Sequence, residues 1–160
     1  SVIKKYTKKK FDLILLADVL EHIKNDKKII QSLSKNLKNN GFILITVPTY
    51  KILFSKKDLI LGHYRRYSKT EILNLFSKFK TVRLTFFNSI LFFPISFIIL
   101  FFKFLRIDFI DKVEKSPNKI VNFILFKIFT IERRLINHCN LPFGISMLGL
   151  FQKKWLDQYL

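Results

Sequence analysis

Two apolar runs decide the fold: Phe11-Asp12-Leu13-Ile14-Leu15-Leu16 and Phe42-Ile43-Leu44-Ile45-Thr46-Val47, the second closed by Pro48. Each is short, and neither alternates apolar with polar residues. That is the pattern of a strand covered on both faces, as in a parallel sheet. Between them Ile29, Ile30, Leu33 and Leu37 recur at helical spacing among Lys and Asn. The spacing predicts an amphipathic helix over 25–38, opened by Asn25 or Asp26. Its stop is Asn39-Asn40-Gly41, residue types that tolerate the left-handed backbone after a helix end. Strand, helix and strand in one short stretch make a βαβ unit, so the two strands should run parallel with a right-handed connection.

Downstream, residues 49–67 form a long loop, which in a compact domain marks a functional candidate. Ser68-Lys69-Thr70-Glu71 is a capping box, in which hydroxyl and carboxylate satisfy each other's free backbone donors. It should open a helix with Ile72, Leu73, Phe76 and Phe79 on its buried side, followed by a strand over 81–87. Residues 84–102 carry no charge, between Arg83 and Lys103. A helix from about Ser89 to Leu105 covers roughly 25 Å, short of the ~30 Å hydrocarbon core, and Pro94 should kink or restart it near its first turns. A packed helix, a membrane-surface helix and a true span all remain open for 84–105. After Ser116-Pro117-Asn118 a second helix, 119–138, is apolar on most of its circumference and is expected to pair with the first as a helical hairpin. Pro142-Phe143-Gly144 is a turn, and 146–152 reads as a last strand.

Composition narrows the classes of function. The 160 residues carry 29 Lys+Arg against 11 Asp+Glu, a net charge of +18. Such a charge invites nucleic acid or an anionic membrane. Yet Lys, Ile, Phe, Asn and Tyr make up half the chain while Ala17 is its lone alanine, a bias of A/T-rich codons. The basic residues are also scattered in pairs and triplets such as Lys8-Lys9-Lys10, Lys56-Lys57 and Arg133-Arg134, so a nucleic-acid partner is not expected. With 49% apolar residues the chain can bury a core, which excludes intrinsic disorder. A single cysteine, Cys139, excludes a disulfide framework, and beside His138 it reads as a packed residue. The chain begins at Ser1 rather than Met, which reads as processing or a fragment. No apolar stretch of signal-peptide type follows the basic start, so the expected location is cytoplasmic, with a peripheral membrane position open.

Two clusters are candidates for chemistry. Ala17-Asp18-Val19-Leu20-Glu21-His22 follows the first strand, at the carboxyl end where ligands of open parallel sheets bind. Asp18 and Glu21 are suited to accept from a ribose or an amine, and His22 to act as donor or base. Alternatively the two carboxylates merely complement the positive end of the next helix. Gly62-His63-Tyr64-Arg65-Arg66-Tyr67 lies on the long loop, where two guanidiniums are suited to a carboxylate, phosphate or sugar. The plainer reading is a solvated basic tip. No metal set is expected, because His22, His63 and His138 lack i,i+4 partners. Neither a Ser-His-Asp order nor a nucleophile elbow is present.

In this order and spacing the two clusters resemble class I S-adenosylmethionine-dependent methyltransferases, near the branches called type 11 and type 12. The resemblance runs from Phe11-Asp12-Leu13-Ile14 into Asp18-Val19-Leu20-Glu21-His22-Ile23. It continues through Asn40-Gly41-Phe42 to Pro48, then Asp58 ahead of Gly62-His63-Tyr64-Arg65-Arg66-Tyr67-Ser68, and closes at Pro142-Phe143-Gly144-Ile145-Ser146.

The resemblance implies an α/β fold, the C-terminal half of a Rossmann-like sheet: strands four to seven, with a hydrophobic helical insert before the last. It divides the chain into a partial methyltransferase domain over 1–87, the insert over 88–140, and the last strand and tail of the same domain over 141–160. It implies S-adenosyl-L-methionine as cofactor, bordered by Ala17, Asp18 and Glu21, and a small-molecule or lipid-linked methyl acceptor bordered by Arg65, Arg66 and Tyr67. His22 or His63 is the candidate catalytic base. The family's Gly-rich turn and acidic residue lie on earlier strands, and the four scattered glycines here, Gly41, Gly62, Gly144 and Gly149, do not supply that turn. The chain therefore reads as half of an enzyme, inactive without a missing N-terminal half of the same gene or a separate chain, and with an unpaired strand at its central edge. A non-catalytic basic protein binding an anionic membrane through the Phe-rich helices is the alternative. A weaker third is a nucleic-acid module built on Arg65 and Arg66.

Overall fold

In a computed structural model, which describes residues 9–107 and 118–154, four strands form one sheet in the order β1-β2-β4-β3. They are β1 (Phe11–Ala17), β2 (Leu37–Pro48), β3 (Phe79–Phe87) and β4 (Ser146–Lys153). The helices are α1 (Asp26–Asn36), α2 (Lys56–Ile60), α3 (Lys69–Leu75), α4 (Phe92–Phe104) and α5 (Lys119–His138), with 3-10 turns at Leu20–His22 and Lys51–Leu53. Lys8, Ser116, Pro117 and the tail over 155–160 lie outside the described residues.

The βαβ unit forms as expected: β1 and β2 are parallel, with Leu13 opposite Phe42 and Leu16 opposite Ile45. Asn25 caps α1, its side chain accepting from Lys28 N–H. The stop differs. The helix ends at Asn36, and β2 begins at Leu37, which is buried and pairs with Phe11. Asn40 does adopt the left-handed backbone (φ 61°), inside the strand, beside a break in register between Phe11 and Leu13. Gly41 suits this crowded spot, because a Cβ would stand 3.0 Å from the Lys38 carbonyl oxygen and 3.1 Å from that of Phe11. An Asn-Asn-Gly stop and a strand irregularity share one local chemistry, and the long-range pairing of Leu37 decides between them.

Strand β4 inserts between β2 and β3, antiparallel to both. The carboxyl ends of β1, β2 and β3 consequently share one edge of the sheet. One face is well covered. Ile43, Ile45, Val47, Met147 and Phe151 pack there against Ile30 of α1 and Ile72 of α3, with Leu20, Tyr67 and Phe76. The capping box holds α3 as read, Ser68 Oγ accepting from Glu71 N–H and Glu71 Oε2 accepting from Ser68 N–H. Leu73, expected inside, is 38% exposed, whereas Ile72 and Phe76 are buried.

The other face departs from the expectation of two-sided cover. Leu13 and Leu15 of β1 are 53% and 59% exposed, because among the described residues no element lies over them. β1 pairs on one side only, with β2. The two long helices also differ from the hairpin expected: α4 packs chiefly on the Lys51–Leu53 turn and α5 on β3, rather than on each other. β3 absorbs residues 79–87, leaving α4 thirteen residues, about 20 Å of helix. Pro94 sits in its first turn, where the missing N–H costs nothing. No helix among the described residues is long and apolar enough to cross a membrane. Cys139, expected to pack, is exposed at the end of α5.

Candidate active site

At the sheet edge where β1, β2 and β3 end, three residues other than glycine hold a left-handed backbone: Asp18 (φ 49°), Tyr50 (φ 59°) and Asn88 (φ 58°). Such strain clusters where a chain must expose groups to a ligand. At Asp18 it is held by β2. Asp18 N–H donates to the Thr46 carbonyl (3.1 Å), and Thr46 Oγ1 donates to Asp18 Oδ1 (3.0 Å). Ala17 and Asp18 remain exposed. Thr46 also lines a cleft of about 510 Å³ that reaches Asn88 and, on α5, Glu132 and Arg133.

The 3-10 turn after Asp18 places Glu21 inside and His22 outside. Glu21 is 1% exposed, and its Oε2 has no hydrogen-bond partner. Burial pushes its carboxyl above the ordinary range, against its own backbone N–H, which favours ionisation; Asp18 pushes it further up, and His63 and His22 pull it down.

The long loop is ordered by one carboxylate. Asp58, in a capping box with Ser55 at the start of α2, is 2% exposed. Its Oδ1 accepts from Arg66 Nε (2.9 Å) and pairs with His63 Nδ1 (2.9 Å), while Oδ2 accepts from Arg66 Nη2 (3.1 Å) and Ser55 N–H (2.9 Å). Burial alone would raise the Asp58 carboxyl; the bonds from Arg66, His63 and Ser55 outweigh it and hold the group below its ordinary value. The loop then docks onto the first cluster, Tyr64 N–H donating to the Glu21 carbonyl (2.8 Å). This bond brings His63 to His22, ring centroids 4.6 Å apart and edge to face. Gly62 makes the turn at φ +75°.

The structure thus joins Glu21, His22 and His63, which lie some forty residues apart in sequence; their ligand atoms are within 4.8 Å of one another. The expectation of no metal set rested on i,i+4 spacing within one helix, a test blind to ligands brought together from two loops. The three residues expected around substrate are placed differently. Arg66 is taken up by Asp58, and Arg65 donates to Asp26 Oδ2 (3.1 Å) and the Lys24 carbonyl (2.7 Å). Tyr67 is buried and donates to Asp26 Oδ2 (3.0 Å). Burial, with the Asp26 carboxylate beside it, pushes its phenol well above the usual range. These side chains hold the loop in place. Asp58 and Thr46 were not singled out as site residues from the sequence, although the Ser55-x-x-Asp58 spacing is a capping-box signal.

Comparison with known proteins supplies the family and the fold. The family model described as "Methyltransferase domain" matches residues 3–83, half of the chain. The chain belongs to that methyltransferase-domain family. Among solved structures it is similar to a SAM-dependent methyltransferase from Archaeoglobus fulgidus, at 15% identity and TM-score 0.52, covering 95% of this chain and 63% of that one. A putative sarcosine dimethylglycine methyltransferase from Galdieria sulphuraria aligns at 17% identity and TM-score 0.52, over 96% and 57%. A putative methyltransferase from Bacillus halodurans does so at 16% and 0.51, over 93% and 67%. The chain thus spans about three-fifths of the length of these proteins, and the likeness establishes their fold. No curated protein matches it.

Proposed function

We propose that this chain is the substrate-facing half of a class I methyltransferase that uses S-adenosyl-L-methionine and acts on a small-molecule or lipid-linked acceptor. A segment carrying the Gly-rich turn completes it, from the same gene or a separate chain. The observation that carries the reading is the meeting of the two loops: Glu21, His22 and His63 come together just beyond the carboxyl end of β1, where Asp18 also lies. One-sided pairing of β1, with Leu13 and Leu15 exposed, supports a further strand beside it.

The residues present suit the cofactor's chemistry. Its sulfonium and ammonium groups are cationic, and the exposed carboxyl group of Asp18 lies next to the small side chain of Ala17, with Glu21 three residues on. When bound, it supplies an electrophilic methyl group, leaving the protein to position the acceptor and take its proton. Between the two histidines, His63 is favoured as base. Its Nδ1 donates to Asp58, which orients the ring and leaves Nε2 to accept a proton. Asp58, Arg66, Arg65 and Tyr67 hold the loop that carries it.

Calorimetry of S-adenosylmethionine against the 160-residue chain tests the division of labour. Alone, the chain should show no tight binding, and with the completing half the affinity should reach about the micromolar range. Micromolar binding by the chain alone overturns the proposal of a missing half.

A second reading rests on α4 and α5. Phe93, Phe97, Phe104, Phe123 and Phe126 are exposed beside Lys103, Lys119 and Lys127. Aromatic surface with flanking cations suits an anionic membrane surface. Flotation with anionic vesicles at low salt tests it, and absence of association refutes it.

A further inference from the structure

We propose that Glu21, His22 and His63 bind a single divalent transition-metal ion of the Zn²⁺ or Co²⁺ class. Two imidazoles and one carboxylate form a donor set suited to borderline first-row ions, and three protein ligands leave coordination positions open for water or an acceptor oxygen. The set is assembled by the fold rather than by local spacing, since the Tyr64 N–H to Glu21 carbonyl bond clamps one loop onto the other.

Two further observations point to a cation. Glu21 is buried, and its Oε2 lacks any donor. A carboxylate withdrawn from water without a partner is costly, and a metal ion among these three side chains is the partner it lacks. His63, in turn, has a carboxylate behind it: Nδ1 donates to Asp58 Oδ1 at 2.9 Å, and Asp58 is itself forked onto Arg66. That arrangement fixes tautomer and ring orientation and presents Nε2 as the ligand atom.

The donors are spread up to 4.8 Å apart, whereas a tetrahedral ion with bonds of about 2.1 Å holds them roughly 3.4 Å apart. Glu21 is buried and His63 is held by Asp58, so the exposed His22 is the side chain freest to supply the closure, at most about 1.4 Å. Asp18 stays outside the set, held by Thr46. The inference stands on this geometry and not on methyl transfer. With an ion bound, His63 Nε2 would be a ligand rather than a base.

The test is titration of Zn²⁺ and of Co²⁺ into the full 160-residue chain, followed by calorimetry and by the visible absorption of Co²⁺. The expected result is one ion per chain. His22→Ala, His63→Ala and Glu21→Gln should each weaken binding by at least about tenfold, and Asp58→Asn by about tenfold through the ring it orients. His138→Ala, far along α5, should leave affinity unchanged. Because His22 is exposed, its variant tests the site without disturbing the core. Absence of saturable binding up to about 1 mM ion, or unchanged affinity in His22→Ala and His63→Ala, overturns the proposal. Cofactor affinity is a separate measurement, so this site and the methyltransferase reading stand or fall independently.

Discussion

The sheet face beneath α1 and α3 and the surface of α4 and α5 are built from the same residue types and end in opposite environments. Phe76 is 1% exposed and stacks on Phe151, ring centroids 4.1 Å apart. Phe104, in a more apolar stretch of the sequence, is 84% exposed. The difference lies in what surrounds the aromatic residues. Around Phe76 a strand pattern of period two meets a short capped helix, and the apolar residues Ile72, Phe76 and Phe151 close on one another. On α4 the apolar residues run round the whole helix, so one side alone can meet the sheet and the rest remains outward. Composition reports neither fact.

The sharpest way to break this comparison is a pair of truncations. Phe76→Ala removes a stacked ring from a closed core and should cost about 4 kcal/mol in urea unfolding. Phe104→Ala should change stability by no more than about 0.5 kcal/mol. Equal costs for the two would mean that α4 is covered by something in solution.

Next in size is the loop hub. Asp58→Ala leaves the Arg66 guanidinium, 11% exposed at its side chain, without its carboxylate, and an uncompensated buried charge should cost about 3 kcal/mol. The same change frees His63 from its orienting bond. The measurement is chemical denaturation beside the His63 ring resonances in NMR, which should broaden or shift. Retained stability would place Arg66 in solvent and undo the account of the loop as locked.

How much of this was legible beforehand follows from the range of each interaction. The βαβ unit, the Ser68–Glu71 box and the helix over 119–138 were readable because their signals are local: apolar runs, spacing of caps, and helical periodicity. The end of α1 was misread because Asn39-Asn40-Gly41 satisfies a helix stop as well as a strand irregularity, and only the pairing of Leu37 with Phe11 separates them. At the candidate site, Asp18, Glu21, His22 and His63 were named from residue type and from resemblance to a family. Their partners were not. Nothing local ties Arg66 to Asp58 or Arg65 to Asp26, so guanidiniums that hold the loop read as groups free for a ligand. The metal-capable trio stayed hidden for the same reason, since its members come from two loops.

Smaller effects test the capped boundary of the well-packed side. Ser68→Ala removes the acceptor for Glu71 N–H and should cost about 1 kcal/mol in thermal or urea unfolding. Its partner adds a pH dependence. Slight burial would raise the Glu71 carboxyl, but Lys51 Nζ at 2.5 Å and the Ser68 donors overcome that and hold it below its ordinary value. A carboxyl lowered in the folded state contributes stability above its unfolded pKa of about 4.3 and loses it as pH falls through the folded value. Stability of the wild-type chain should therefore fall more steeply than that of Glu71→Gln between about pH 5 and about pH 3. Because the Glu71 side chain is partly exposed, solvent screens the pair and the difference in slope should be small.

Smallest for stability, and most telling for the other region, is Phe126→Ser. The ring is exposed on α5, so unfolding should shift by less than about 0.5 kcal/mol in either direction. If the Phe-rich surface meets an anionic bilayer, the same change should weaken vesicle association, because each buried ring contributes apolar area that serine lacks. Screening by salt should weaken it further by acting on the flanking Lys127 and Arg133. A variant that floats with vesicles as well as the wild type would show that these rings do not enter the bilayer. The contrast with Phe76 would then rest on folding alone: a phenylalanine on this chain matters to stability where the sheet, a helix and a second ring close over it, and an exposed one on α5 would have to find its use in a partner other than lipid.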